Sequence, residues 1–553
     1  MIKRLVHPQL VQLFRIFQTI KIRMQQDEAV LSLVMLHKGV GGAWRVSDTG
    51  QRFYHAARQS GLACAQPAFQ QDRISNLQFT RQSCAESGVG GRVGQGENKL
   101  GHTRLIGRLA RGGKTSQRSR LRSRALDLHP RARRHANIRT RQQGARIAVS
   151  GTVIIGGGQA ALSAAAELRK RKYDAPIIIL AGETAAPYQR PPLSKAYLAG
   201  ELPVDRLWLK PAEWYEKADV DLRTGVRVTA IDRSAANVIT DTGERIAYDR
   251  LILATGGEAR RLPLPGADLP GVHVLRTLSE TEDLSASFHG AKSIAIIGAG
   301  YIGLEVAASA RKRGMTVTVL EAAERPMCRT ASPLLGGWFG AIHRGYGVDL
   351  RVNAPVKAIV GESGQVTGVE LVDGEIVEAD TVLVAAGLTV NDHLASAAGL
   401  ACKDGVLVDE TARTEDERIY AIGDVARFHS KRYDRSIRLE SVQNAIDQGK
   451  AAAQAICGLE VDYDPVPWFW SDQYEMKLQI TGLIEGADEM VRRGDPEEGK
   501  FALFHLKQGR IVACEAVNSG PEYMAAQRMI AQGATPDPDR LRDPGVAMRD
   551  FLS

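Results

Sequence analysis

Two strand, glycine-turn and helix units recur in this chain, at residues 152–172 and 293–313, and they restrict its fold more than any other feature. In the first, the apolar strand TVII (152–155) runs into GGGQAA (156–161) and then a helix expected over 162–172. Gly156 permits a tight turn, Gly158 lets the backbone approach a pyrophosphate, and the small Ala161 lets helix and strand pack closely. The helix N-terminus then faces the phosphates. A second strand, 176–181, leads to Glu183, a candidate partner for adenosine ribose hydroxyls. The second unit repeats the device: SIAII (293–297), GAGYIG (298–303) with Gly298, Gly300 and Gly303, a helix over 304–313, and a strand over 316–320 ending at Glu321. Two complete units imply two bound nucleotides.

Glu321 bears on which ribose the second unit accepts. Its carboxylate can bind a free 2′-hydroxyl and would repel a 2′-phosphate, and Ala322 and Ala323 offer no compensating cation. Arg325, four residues on, remains a cation that could reach back. The sequence favours a dinucleotide with a free 2′-hydroxyl, NADH over NADPH if the nucleotide is a nicotinamide one.

The net charge of +9 divides unevenly. Residues 1–150 carry 27 basic and 7 acidic side chains, a balance of +20, so the remaining 403 residues carry −11. Residues 104–146 hold 13 arginines against one acid, Asp127, with no sustained helical or strand period. A nucleic-acid-binding arm and a mitochondrial targeting peptide both fit an Arg-rich, acid-poor segment, although a targeting peptide would be amphipathic, Ser-rich and much shorter. A secretory signal is excluded, because Arg15, Lys21 and Arg23 interrupt every apolar run near the start. The reading preferred here is a disordered leader over residues 1–148, translated from upstream of the true start, with the folded chain beginning near Val149. No nucleic-acid partner is expected.

Six widely spaced cysteines without a CxxC exclude a disulfide framework, a thiolate zinc site and a redox dithiol. They suit a reducing, cytoplasmic setting. No metal-ligand set is read. The longest apolar run, 293–310, contains three glycines and Glu305, so no membrane span is expected.

Several longer strings are more specific than either turn: PYQRPPLSKAYLAGE (187–201), LILATGG (251–257), LRTL (275–278), GAGYIGLEVAA (298–308), AIGDVARFH (421–429), ESVQNA (440–445) and PWFWSDQYE (467–475). On these residues the chain from 152 to about 550 resembles the two-dinucleotide-binding flavoproteins, and within them the NADH-dependent ferredoxin reductases. The resemblance implies an α/β architecture of two Rossmann-like dinucleotide-binding domains, one for FAD and one for NAD, plus an α+β C-terminal domain. The FAD domain would comprise 149–257 and 388–465, the NAD domain 258–387, and the C-terminal interface domain 466–553.

Carried over residue by residue, Gly156, Gly158, Ala160 and Ala161 would contact the FAD pyrophosphate. Arg190, Lys195, Val228, Arg276, Asp424 and Val442 would bind the cofactor further on, and Trp470 would lie close to the flavin. Glu183 departs from the pattern, since the family acid often sits where this chain has Gly182. Alone, Asp424 after Gly423 reads as a turn residue; within the resemblance its carboxylate accepts ribityl hydroxyls. Lys195 would pair with Glu305, supplying a cation where negative charge gathers as hydride arrives.

Relatives that reduce disulfides or peroxide carry cysteine in the stretch 187–198, and this chain has none there. Electrons would leave the flavin directly for a one-electron carrier, a two-iron two-sulfur ferredoxin serving a monooxygenase or dioxygenase. The string RFHSKRYDRSIR (427–438), with five cations, offers an electrostatic target for an acidic partner. The alternatives are rubredoxin or monodehydroascorbate reduction, or an NADH-binding interaction protein like the apoptosis-inducing flavoproteins.

Overall fold

A computed structural model describes residues 151–552 and, as backbone only, strands Leu36–Lys38 and Trp44–Val46, which pair antiparallel. The remainder of the expected leader over 1–148 lies outside the described residues.

Strand Thr152–Ile155 is the centre of a parallel sheet. Its neighbours are Arg250–Leu253 and Ile177–Ala181, with Ile419–Ala421 and Val220–Thr224 at the edges. Ile154, Ile179 and Ile252 are fully buried, as apolar runs must be when helices cover both faces of a sheet. Truncating any of them to Ala would cost about 2–5 kcal/mol. Helix Gln159–Lys170 covers one face through Ala160, Ala161, Ala164, Ala165 and Leu168, a spacing that puts small residues on one side. Against that side lies helix Val442–Ile456, and the two approach closely because Gly449 has no side chain: a Cβ there would stand 2.7 Å from the Ala160 carbonyl oxygen. This sheet is therefore assembled from both ends of the described chain.

Between those ends a second parallel sheet forms from Val272–His273, Thr381–Val384, Ser293–Ile297, Thr316–Leu320 and Asp349–Arg351, in that order. The chain leaves the first sheet through Gly257–Ala259 and returns through Leu388–Val390, and these two strands pair antiparallel at the crossing. The C-terminal part is a five-stranded antiparallel sheet, ordered Trp468–Gln473, Met476–Gly482, Arg510–Val517, Lys500–Lys507 and Glu489–Asp495, with helix Gly520–Gln532 packed on it. Among the described residues no helix is long and apolar enough to cross a membrane.

Both glycine-turn helices begin earlier than the sequence suggests, at Gln159 and Tyr301 rather than 162 and 304. The turn ends at Gly158 and Gly300, which are the N-caps, so the residues after them already make the first helical turn.

Candidate functional site

Both glycine turns open into one cleft of about 1910 Å³ between the two parallel sheets and the first strand of the C-terminal sheet. Gly156 has φ +117°, and a Cβ there would meet the Ala254 carbonyl oxygen at 2.1 Å, so only glycine lets the turn pass this close to the neighbouring strand. Gly158 borders open space. Neither helix 159–170 nor helix 301–312 receives a side-chain cap, so their N-terminal amides remain donors facing the cleft. By contrast, helices Leu278–Ser287, Pro333–Gly345 and Val442–Ile456 are capped by Thr277, Ser332 and Ser441. Uncapped amides, a glycine cradle and a large cleft fit a pyrophosphate at each turn.

Most residues singled out from sequence line this cleft: Gly156, Gly158, Ala160, Glu183, Arg190, Lys195, Val228, Arg276, Gly298, Gly300, Glu321, Asp424, Val442 and Trp470, together with Glu305. Two do not. Ala161 is fully buried in the helix–sheet core, and Gly303 is buried behind the second turn, where a Cβ would press on the Gly298 carbonyl oxygen at 2.1 Å. At both positions the side chain, or the lack of one, serves close packing.

Glu183 is held at the cleft by two donors, Arg190 Nη2 and the Tyr188 hydroxyl, each at 2.5 Å. Arg190 also donates to the Arg276 carbonyl oxygen at 2.6 Å. Tyr188 further accepts from the Leu278 amide at 2.9 Å, and burial pushes its hydroxyl pKa far above the ordinary range. Arg276 Nη2 donates to Asp424 Oδ2 at 2.6 Å, while its buried Nε meets no protein acceptor. A cation whose buried Nε is unspent on protein, beside a carboxylate at a strand end, fits a polar cofactor segment carrying both acceptors and hydroxyls.

At the second turn, Glu321 accepts from the Ala299 amide at 2.7 Å and the Ala323 amide at 2.9 Å. Arg325 does not reach back, since its guanidinium donates to the Ala331 and Cys328 carbonyl oxygens at 3.0 and 3.1 Å. The cation left open by the sequence is thus committed elsewhere, and the acid stands uncompensated.

Lys195 Nζ lies 2.7 Å from Glu305 Oε2, with Glu305 2% exposed and Lys195 19% exposed at the cleft wall. The same carboxylate accepts from Ser194 Oγ at 2.5 Å and from Ser471 Oγ at 2.6 Å. Ser194 and Ser471 were not singled out from the sequence, nor was Tyr188. Their nearest signal is position: Tyr188 and Ser194 fall inside PYQRPPLSK, and Ser471 follows the three aromatics 468–470. Trp470 is one of those aromatics, with its ring 5.6 Å from that of Trp468, and Tyr301 packs its ring 4.6 Å from Phe469 across the cleft.

Four of the five cations in the string 427–438 are paired with carboxylates. Arg427 and Arg438 pair with Asp404, Lys431 with Asp462, and Arg435 with Glu485. Arg432 is spent on the carbonyl oxygens of Ile530 and Asp464. Acids from other parts of the chain pair with four of the five cations, which weakens the electrostatic target expected there.

Comparison with known proteins agrees with this geometry. The pyridine nucleotide-disulphide oxidoreductase family matches residues 150–449, and the reductase C-terminal family matches 468–552. Rhodocoxin reductase of Rhodococcus erythropolis is 44% identical over 391 residues, covering 71% of this chain and 92% of that protein. Putidaredoxin reductase of Pseudomonas putida is 38% identical, covering 72% and 96%. Among solved structures, the covalent putidaredoxin reductase–putidaredoxin complex superposes with a TM-score of 0.72 at 38% identity, covering 73% of this chain and 98% of that one. The ferredoxin reductase for the CYP199A2 system from Rhodopseudomonas palustris gives 0.71 at 38%, covering 73% and 100%. The chain belongs to the pyridine nucleotide-disulphide oxidoreductase family and carries its reductase C-terminal domain.

Proposed function

We propose that this protein is an FAD-dependent reductase that oxidises NADH and passes single electrons to a two-iron two-sulfur ferredoxin, which in turn supplies a monooxygenase or dioxygenase. The observation that carries the reading is the single cleft into which both uncapped glycine-turn helices open, with the Lys195–Glu305 pair in its wall. Support for the acceptor comes from relatives, several of which are named ferredoxin reductases, including the reductase component of the anthranilate 1,2-dioxygenase system of Burkholderia cepacia, although the rubredoxin reductase of Pseudomonas putida is also 37% identical. The proposed division is 149–257 with 388–465 for FAD, 258–387 for NADH and 466–553 for the C-terminal domain. The strand exchange at 257–259 and 388–390 marks the crossing between the first two. The cytoplasm is the proposed setting.

Bound FAD supplies a group that accepts two electrons as hydride and returns them one at a time. The chain's own residues do the rest. Gly156, Gly158 and the amides that follow hold the pyrophosphate, and Glu183 with Arg190 forms one wall. Arg276 and Asp424 present a donor and an acceptor to the ribityl chain. Gly298 and Gly300 cradle the NADH pyrophosphate while Glu321 selects the free 2′-hydroxyl. Lys195, held by Glu305, places a positive charge where electron density accumulates, and Trp470 shields that region from water.

NADH-dependent cytochrome c reduction, measured with and without an added two-iron ferredoxin, tests the reading. A large stimulation by ferredoxin is expected. Stimulation by rubredoxin alone, or none by either carrier, would reject it.

A further inference from the structure

Beyond Glu305 the polar contacts continue away from the cleft in one unbroken line. Ser471 Oγ donates to Glu305 Oε1 at 2.6 Å, and Gln473 Nε2 donates to Ser471 Oγ at 3.1 Å. His343 Nε2 lies 2.8 Å from Gln473 Oε1, and the Tyr474 hydroxyl lies 3.3 Å from His343 Nδ1. Ser471, Gln473 and His343 are all 0–1% exposed. Ser471 and Gln473 are two apart on one strand, so both face inward while Asp472 between them faces solvent. His343 comes from helix Pro333–Gly345, so the line passes from the second parallel sheet's helices through the C-terminal domain and back to Glu305.

The direction of every hydrogen bond follows from its end. An ionised carboxylate only accepts, so Ser471 must donate to Glu305, and its oxygen then accepts from the Gln473 amide nitrogen. The amide oxygen is left facing His343, which must carry its proton on Nε2, and Nδ1 accepts from Tyr474. All four donors point toward Glu305, and aligned dipoles of this kind stabilise negative charge at their head.

Tyr474 shows a second sign of constraint. It sits at the tip of the hairpin between the strands ending at Gln473 and beginning at Met476, with φ +54°, a region where a bulky side chain is strained. Its ring is stacked 3.7 Å from that of Tyr346, whose hydroxyl donates to Glu475 at 2.5 Å. The surroundings hold the hydroxyl against His343 in spite of the backbone cost. Facing Glu305 are Lys195 and, from its own helix, Tyr301, with Glu515 beyond Tyr301. Facing His343 is Tyr474, with Arg311, Tyr346 and Glu475 around that ring.

We propose that Ser471, Gln473, His343 and Tyr474 form a positioning chain through which the C-terminal domain holds Glu305 turned toward Lys195, and so fixes where that positive charge stands beside the flavin. This rests on the placement of Lys195 and Glu305 at the flavin.

The holoenzyme provides two readouts. In imidazole nitrogen NMR, with the resonance identified by its loss in His343→Gln, His343 is expected as the neutral Nε2–H tautomer from neutral pH down to about pH 5. An Nδ1–H tautomer or a charged ring at neutral pH overturns the chain. In stopped-flow reduction by NADH, Ser471→Ala removes one donor to the carboxylate. The bleaching rate should then fall by about tenfold. The NADH dissociation constant should stay within about twofold, and Ser471→Thr should restore the rate. Gln473→Glu, equal in size but unable to donate when ionised, should slow bleaching the same way. An unchanged bleaching rate in flavin-loaded Ser471→Ala and Gln473→Glu overturns the proposal. A normal bleaching rate in Lys195→Ala instead overturns the placement of the pair at the flavin, whereas slow bleaching there with normal bleaching in Ser471→Ala rejects the chain alone.

Discussion

Arg276 Nη2 donates to Asp424 Oδ2 at 2.6 Å, joining the segment that leads into helix 278–287 to the strand end that closes the first sheet. The two residues are 148 positions apart. Asp424→Ala would strand a guanidinium 26% exposed at the cleft and remove an acceptor from the ribityl region. A lost charge-assisted hydrogen bond is worth about 1.5–3 kcal/mol, so FAD affinity should fall by roughly one to two decades. Flavin retained through gel filtration measures this, and undiminished retention counts against the assignment of Asp424.

Glu321→Ala should weaken NADH binding and relax discrimination against NADPH. The acid is fixed by two backbone amides and no cation offsets it, so its loss removes a ribose contact and a repulsion together. The ratio of apparent affinities for the two nicotinamides is expected to change by about one to two decades. An unchanged ratio sinks the role given to Glu321.

Lys195→Ala should slow flavin bleaching by NADH while FAD is retained through the pyrophosphate contacts. Glu305→Gln should disturb the same step, because Lys195 loses its charged partner at 2.7 Å. Two residues acting as a pair give a non-additive double variant, with coupling of roughly 0.5–3 kcal/mol. Additive losses confined to thermal stability would return both to a structural role.

His343 should impose a pH dependence on stability. Burial lowers its pKa from 6.5 to about 4, so it is neutral in the fold and binds a proton more readily when unfolded. The unfolded chain therefore carries the extra proton between these two values, and stability falls as pH drops from 6.5 toward about 4. At about 1.36 kcal/mol per pKa unit this share is about 3 kcal/mol. Urea midpoints followed across that window in the native protein and in His343→Gln should differ in slope, with the variant flatter; parallel slopes would show that the imidazole is not buried neutral.

The glycine turns were readable because their constraints are local. Gly156 and Gly298 stand beside apolar strands only four and five residues long, and each turn is followed at once by its helix. Ser471 was not readable, because its partner Glu305 is 166 positions away and one hydroxyl after three aromatics leaves no periodic trace. His343 escaped for the same reason, its acceptor Gln473 lying 130 positions on. The string 427–438 misled in the opposite sense. Its five cations fall within one twelve-residue string, but Asp404, Asp462 and Glu485, which pair with four of them, lie outside it. Charge adds along a chain only where folding leaves it uncovered.

The sheet that receives Gly156 is built from both ends of the described chain, and this orders events during synthesis. The strands from Val272 to Val384 are contiguous and can pair as soon as they leave the ribosome. Strand Thr152–Ile155 emerges earlier but must wait for Ile419–Ala421 to complete its sheet and for helix Val442–Ile456 to seat on helix Gln159–Lys170. At about 5–20 residues per second, that interval is roughly fifteen to sixty seconds. During it the first glycine turn exists without the strand and helix that complete its sheet. The site at Gly156 is therefore finished last, from parts made at both ends of the described chain.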